Sequence, residues 1–98
     1  MTNSINVDNL LKLIPNAKII DIRDNNSFKR GSIPTSINIP YNYLNLTPHK
    51  FINKENTYYI YCEQGTTSKN LCFKLIKQGY NVININGGYL SYKNLKNY

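Results

Sequence analysis

A chain of 98 residues has the length of one domain, and 41% hydrophobic residues are typical of a globular rather than a disordered protein. No apolar run approaches the ~20 residues that cross a membrane, and residues 1–10 lack a signal-peptide pattern. The two cysteines, Cys62 and Cys72, are too few for a disulfide framework, and no Cys or His cluster predicts a metal site. We therefore expect one domain over residues 1–98, monomeric and cytoplasmic, with no membrane partner.

The chain is strongly positive: it has 12 Lys and Arg residues but only 5 Asp and Glu residues, which gives a formal net charge of +7. Such a field attracts anions. Arginine, the better residue for fixed contacts to phosphates and bases, occurs only at Arg23 and Arg30, and the lysines are scattered from Lys12 to Lys96. The charge alone does not identify the anion, and because no motif supports nucleic-acid binding, we do not expect a nucleic acid as the ligand.

The first half of the chain is predicted to contain two helices and two strands. Asn6 can cap the first helix and Pro15 ends it, and its apolar stripe consists of Val7, Leu10, Leu11 and Ile14. Residues 18–22 form a β-branched run typical of a buried strand, and residues 24–29 predict one or two helical turns. Residues 36–39 alternate between polar and apolar and predict a second strand.

The second half contains the strongest strand prediction, Thr-Tyr-Tyr-Ile-Tyr at residues 57–61. Before it, residues 41–53 predict short helical pieces. After it comes a polar loop, and then a helical stripe formed by Leu71, Cys72, Leu75 and Ile76. Residues 81–85 predict another strand and residues 89–95 a last helix. Strands that alternate with helices indicate an α/β fold in which helices cover both faces of a parallel sheet.

Ligands of parallel sheets bind at the carboxyl ends of the strands, which directs attention to Cys62, directly after the 57–61 strand. A thiolate at the start of a helix is stabilised by unpaired backbone N–H groups and by the helix dipole. Gly65 lets the loop curl its N–H groups inward around an anion. Thr66, Thr67 and Ser68 add hydroxyl groups, one of which we expect to cap the helix. The pattern predicts a cup for a small anion with a sulfur nucleophile at its base.

Other polar residues receive structural interpretations. Cys72 lies within an apolar helical stripe and is predicted to be a small core residue. Asp21 and Arg23 point to the same side of a strand and are expected to clamp it to the segment at residues 24–30. His49 is expected to be an exposed loop residue. Gly87-Gly88 is no dinucleotide fingerprint, because no third glycine follows at the required spacing.

Four segments, in this order and spacing, resemble a rhodanese domain over nearly the whole chain. The segments are Ile20-Asp21-Ile22-Arg23 with Phe28, Gly31, Ile33-Pro34 and Ile37-Asn38-Ile39-Pro40; Tyr61-Cys62-Glu63-Gln64-Gly65-Thr66-Thr67-Ser68; Gln78-Gly79-Tyr80; and Ile85-Asn86-Gly87-Gly88-Tyr89. The resemblance implies a central parallel sheet of about four to five strands.

It also implies that Cys62 carries a persulfide. The sulfur would come from a small anionic donor such as thiosulfate and pass to a thiol, including a protein thiol, or to a cyanide-type acceptor. The sulfur and the leaving oxyanion would be held by the backbone N–H groups of Glu63, Gln64, Gly65, Thr66, Thr67 and Ser68. No metal or organic cofactor is implied.

The loop departs from the family pattern at several positions. Thr67 stands where the family often has arginine, and Glu63 adds a negative charge that opposes a thiolate unless its side chain points to solvent. Lys69 is a candidate to compensate that charge, and Ser32 replaces a histidine with an expected structural effect only. These departures keep open a second function, a sulfur-relay or binding module served by a protein partner. A phosphatase or an arsenate reductase is excluded, because Ser68 occupies the position where these enzymes require an oxyanion-binding arginine.

Overall fold

The computed structural model describes residues 3–96 and shows a five-stranded, all-parallel sheet with helices on both faces. The strands lie in the order β1-β5-β4-β2-β3. The strands are β1 (Ser4–Ile5), β2 (Lys18–Asp21), β3 (Ile37–Asn38), β4 (Thr57–Tyr61) and β5 (Asn81–Ile85). The helices are α1 (Val7–Leu11), α2 (Asn25–Arg30), α3 (Tyr41–Leu46), α4 (Thr66–Lys77) and α5 (Gly88–Lys96), with a 3-10 turn at Pro48–Lys50. The predicted α/β architecture is confirmed.

The core consists of two apolar layers, because successive side chains of each strand point to opposite faces. One layer lies under α3 and α4 and contains Ile20, Ile22, Leu44, Ile60, Cys62, Leu71, Cys72, Leu75 and Val82. The other lies under α1 and α5 and contains Val7, Leu10, Ile19, Ile33, Tyr61, Ile85 and Tyr92. The strands β4 and β5 contribute buried apolar side chains to both layers, which explains why the sequence signal was clear there.

The structure differs from the sequence prediction mainly near the amino terminus. Strand β1 was not predicted, because two residues at a sheet edge give no periodic signal; Ser4 and Ile5 pair with Asn84 and Ile85 of β5. Helix α1 ends at Leu11, well before Pro15. Asn6 occupies the predicted cap position, but its side chain accepts a hydrogen bond from Asn86 Nδ2 at 3.1 Å and does not cap the helix.

No helix within the described range 3–96 combines the length and the hydropathy that a membrane span requires.

Candidate active site at the carboxyl end of the sheet

Cys62 lies where the sequence predicted it, between the end of β4 and the start of α4. Its side chain is buried, and its Sγ accepts two backbone hydrogen bonds, from Gly65 N–H at 3.1 Å and from Ser68 N–H at 3.3 Å. Gly65 has a φ of +96°, which a side chain would oppose, and this conformation turns the chain around the sulfur. The loop therefore presents N–H donors to the position where an anionic sulfur would lie.

A buried polar pair supports the sulfur from the sheet side. The Ser68 hydroxyl lies 3.3 Å from Cys62 Sγ and donates to Asn84 Oδ1 at 2.6 Å. Both Ser68 and Asn84 are almost fully buried. Asn84 was missed in the sequence analysis. The available signal was an amide side chain between two isoleucines at the carboxyl end of a buried strand, where a buried polar group needs a partner.

The prediction that a hydroxyl group caps α4 was wrong. The cap residue is Gly65, which has no side chain, and the first turn of the helix instead donates the Ser68 N–H to the Cys62 sulfur. The three predicted hydroxyl residues differ in exposure: Ser68 is buried, whereas Thr66 and Thr67 are exposed. Within the described part of the chain, the N–H groups of Glu63, Gln64, Thr66 and Thr67 form no hydrogen bond. Because no hydroxyl group caps the helix, these four donors are available to an external anion.

These donors border a cleft of about 340 Å³. We call it the thiol cleft, and its lining residues are Ile22, Arg23, Cys62, Glu63, Gln64, Thr66 and Thr67. Cys62 is the single cysteine in this lining, and Thr67 is exposed at its edge. The structure thus brings five of the seven predicted site residues into one cleft, while Gly65 and Ser68 hold the sulfur from behind.

Arg23 organises the rim of the thiol cleft. Its guanidinium donates to both oxygens of the buried Asp21 carboxylate, with a shortest distance of 2.7 Å, and to the Gly31 carbonyl at 2.6 Å. It also stacks on the Tyr89 ring, with 4.1 Å between the guanidinium carbon and the ring centroid. Arg23 and Asp21 thus form the predicted clamp, which reaches Gly31 at the end of α2, one residue beyond the predicted segment at residues 24–30. Burial alone would lower the pKa of Arg23, but the hydrogen bonds and charge of Asp21 outweigh it and raise the pKa.

Glu63 is held by the same guanidinium. Its Oε1 accepts from Arg23 Nη1 at 3.1 Å, and its side chain is 50% exposed. The negative charge next to Cys62 is therefore compensated by Arg23 and by solvent. Lys69, the residue considered for this role from the sequence, forms no ion pair within residues 3–96. The Arg23–Glu63 pair could not be predicted from local sequence patterns, because the two residues are 40 positions apart along the chain.

The start of α5 fixes the loop backbone from the other side. Tyr89 N–H donates to the Cys62 carbonyl at 2.9 Å, and Leu90 N–H donates to the Glu63 carbonyl at 3.1 Å. Gly88 makes this approach possible, because a Cβ there would lie 2.3 Å from the Cys62 carbonyl oxygen. The Gly87-Gly88 pair, which the sequence analysis left without a role, is thus a close-packing element of the active loop.

The two cysteines have different surroundings. Cys72 is fully buried in the α4 face of the core, as predicted. Burial, with a smaller contribution from the charge of Cys62, raises the pKa of the Cys72 thiol to about 12. His49 is exposed in the 3-10 turn, also as predicted. Among residues 3–96, no three His, Cys, Asp or Glu side chains are grouped as a metal site would need.

Comparison with known proteins agrees with this geometry. The family model for the Rhodanese-like domain matches residues 6–95. The chain is 29% identical over 77 residues to the "Putative sulfurtransferase YtwF" of Bacillus subtilis (strain 168), which covers 76% of this chain and 72% of the relative. A rhodanese-related protein from Thermoplasma volcanium superposes with a TM-score of 0.86 and 29% identity, over 95% of this chain and 92% of the other. A rhodanese-like domain protein from Staphylococcus aureus gives 0.81 and 27%, over 93% and 91%.

Proposed function

The chain belongs to the rhodanese-like domain family, and from this premise we propose that it is a sulfurtransferase in which Cys62 carries the transferred sulfur as a persulfide. The observation that carries the proposal is the set of backbone donors around one buried sulfur. Two N–H groups bond Cys62 Sγ, and those of Glu63, Gln64, Thr66 and Thr67 are open to a ligand. Donors fixed before the reaction stabilise negative charge without having to reorganise.

In the first half-reaction, the Cys62 thiolate attacks the outer sulfur of an anionic donor such as thiosulfate. A bond forms between Sγ and that sulfur, and the sulfur–sulfur bond of thiosulfate breaks. Its electron pair leaves with sulfite, so Cys62-S⁻ and thiosulfate give Cys62-S-S⁻ and sulfite with no change in total charge. The free N–H groups of the loop then face the terminal sulfur and the departing oxyanion.

In the second half-reaction, a nucleophile such as cyanide or a thiol attacks the terminal sulfur. The new bond forms at that sulfur, the bond to Sγ breaks, and its electron pair returns to Sγ as the thiolate. The Gly65 and Ser68 N–H groups, 3.1 and 3.3 Å from Sγ, stabilise this leaving group. No step requires a metal or an organic cofactor.

A relay module that receives sulfur only from a protein partner is the second candidate. Thr67 and the Glu63 carboxylate favour it, because the thiol cleft contains no cation that is free of a carboxylate. A free dianionic donor is then held by backbone dipoles alone, whereas a partner protein supplies its own docking contacts.

Steady-state turnover of thiosulfate with cyanide separates these functions. We expect the wild-type protein and the Cys72→Ala variant to release thiocyanate at similar rates, and Cys62→Ser to release none. Folding of each variant is checked by circular dichroism. Loss of turnover in Cys72→Ala with Cys62→Ser still active would contradict the assignment of Cys62. A folded wild-type protein with no turnover, but with sulfur accepted from a protein persulfide, would favour the relay module.

A further inference from the structure

A second cleft adjoins the thiol cleft and has a different lining. Its volume is about 220 Å³, and we call it the basic cleft. It is lined by Arg23, Ser27, Arg30, Gly31, Glu63, Tyr89 and Lys93. Arg23 and Glu63 belong to both linings, so their ion pair forms the partition between the two clefts. A molecule long enough to pass this partition can contact both clefts at once.

The basic cleft is lined by two cations besides Arg23. The charge of Arg23 is taken up by Asp21 and Glu63, but neither Arg30 nor Lys93 forms an ion pair within residues 3–96. Arg30 donates to the Ser27 hydroxyl at 3.1 Å. Asp24 interacts with Arg30 electrostatically but forms no ion pair with it, and its carboxylate accepts the Ser27 N–H at 2.7 Å. The Arg30 and Lys93 side chains are both exposed and face a shared cavity, which makes it a site for an anionic group.

The position of this site restricts which reactant it serves. The negative charge of thiosulfate lies next to the sulfur that reacts, so this donor is accommodated within the thiol cleft. A reactant that occupies both clefts needs a nucleophilic end at Cys62 and an anionic end separated from it. A thiol that also carries a carboxylate has both features, and its carboxylate matches the fork of Arg30.

We propose that the basic cleft binds the carboxylate of a small thiol acceptor, through Arg30 and Lys93, while the thiol of that acceptor takes the sulfur from Cys62. This inference rests on the proposed function. The acceptor R-SH and Cys62-S-S⁻ give R-S-S-H and Cys62-S⁻. The acceptor sulfur bonds the terminal sulfur, the bond to Sγ breaks with its electron pair going to Sγ, and the acceptor proton is transferred to the product persulfide.

The test compares two acceptors on protein whose Cys62 has first been charged with sulfur. The acceptors are 3-mercaptopropionate, which carries a carboxylate, and neutral 2-mercaptoethanol. The measured quantity is the ratio of their kcat/KM values within each variant, so differences in overall activity cancel. We expect Arg30→Gln/Lys93→Gln to lower this ratio about tenfold relative to wild type, and Lys93→Gln alone to lower it less.

The matched control is Lys12→Gln/Lys18→Gln. These lysines border another surface cleft, beside Thr57 at the amino end of β4, and their replacement removes the same total charge. We expect this control to keep the wild-type ratio. An unchanged ratio in Arg30→Gln/Lys93→Gln would overturn the inference. An equal fall in both double variants would also overturn it, because a general field rather than a site would then be responsible.

Failure of the proposed function is recognised separately. If Cys62 accepts no sulfur from any donor, that function fails, and the basic cleft is then tested by binding alone. In that case 3-mercaptopropionate is titrated into the Cys62→Ser protein and followed by NMR. Chemical-shift changes that Arg30→Gln/Lys93→Gln removes, and that the lysine control keeps, would support the carboxylate site. Changes that persist in Arg30→Gln/Lys93→Gln would reject it.

Discussion

Thr67 is the residue at which we expect a single substitution to alter the use of thiosulfate most. It is exposed at the edge of the thiol cleft, in the first turn of α4, at a position where the rhodanese pattern often has arginine. Thr67→Arg adds a cation, and a charge-assisted hydrogen bond contributes roughly 1.5–3 kcal/mol before solvent screening. We expect about a tenfold rise in kcat/KM for thiosulfate, equal to ~1.4 kcal/mol.

Steady-state kinetics with thiosulfate test this prediction, and Thr67→Gln serves as a control for side-chain size. Glu63→Gln should raise kcat/KM in the same direction but less, because Arg23 already compensates that carboxylate. If Thr67→Arg leaves the thiosulfate kinetics unchanged, while Cys62→Ser abolishes sulfur loading, binding of the anion is not the limiting step. The relay module would then be the better description.

Cys72 is predicted to be a structural residue without a role in sulfur transfer. It is fully buried, and burial raises its thiol pKa to about 12, so it stays protonated near neutral pH. Alkylation of the native protein should therefore modify Cys62 rapidly and Cys72 only after unfolding. Cys72→Ser should lower the unfolding free energy by about 1–3 kcal/mol, near the lower limit because a helical serine can donate to the preceding turn.

Peptide mapping after a short alkylation pulse and denaturant unfolding measure these two effects. Cys72→Ala is the comparison without a buried hydroxyl group. Labelling of native Cys72 as fast as Cys62 would instead indicate a resolving thiol, and a disulfide-exchange mechanism would have to replace the persulfide carrier.

At the scale of secondary-structure elements, the active loop depends on its contact with the start of α5. Gly88 has a φ of +59°, and an alanine Cβ would lie 2.3 Å from the Cys62 carbonyl oxygen. We expect Gly88→Ala to push α5 off the loop, to lower the unfolding free energy by about 1–3 kcal/mol and to slow sulfur loading of Cys62. Denaturant titration and the loading rate are the measurements.

Gly79→Ala is the matched control for this prediction. Gly79 has a φ of +97°, yet a Cβ there would meet only the flexible Lys54 side chain, at 3.4 Å or more. This variant should be destabilised by backbone strain but load sulfur normally. Equal loading rates in Gly88→Ala and Gly79→Ala would contradict a role for the α5 contact.

Most elements could be predicted from the sequence, because buried strands such as β4 and β5 and the stripe of α4 are periodic or strongly β-branched. The same local patterns identified Cys62 and its loop. Local patterns could not predict the features that depend on contacts between positions far apart in the sequence. Examples are the pairing of β1 with β5, the Asn84–Ser68 hydrogen bond and the Arg23–Glu63 ion pair. The predicted cap of α4 was wrong for a related reason. The cap position lies so close to Gly87 that only a glycine, Gly65, fits there.

At the scale of the whole molecule, the net charge of +7 should assist the encounter with an anionic donor. The Debye length falls from roughly 30 Å at 0.01 M ionic strength to about 8 Å at 0.15 M. We therefore expect kcat/KM for thiosulfate to fall about threefold over this range. The control is the transfer of sulfur from sulfur-loaded Cys62 to neutral 2-mercaptoethanol, and the kcat/KM of this reaction should change little with salt. A thiosulfate rate independent of salt would exclude long-range attraction.

The assignment of Cys62 as the sulfur carrier is tested by the intact mass of the protein after incubation with thiosulfate, or with a protein persulfide, and removal of the excess donor. We expect wild type and Cys72→Ala each to gain the mass of one sulfur atom and to lose it on addition of cyanide, with one thiocyanate released per chain. Cys62→Ser should gain none. An equal gain of mass in folded Cys62→Ser, or no gain in folded wild-type protein from either thiosulfate or a protein persulfide, would contradict this assignment.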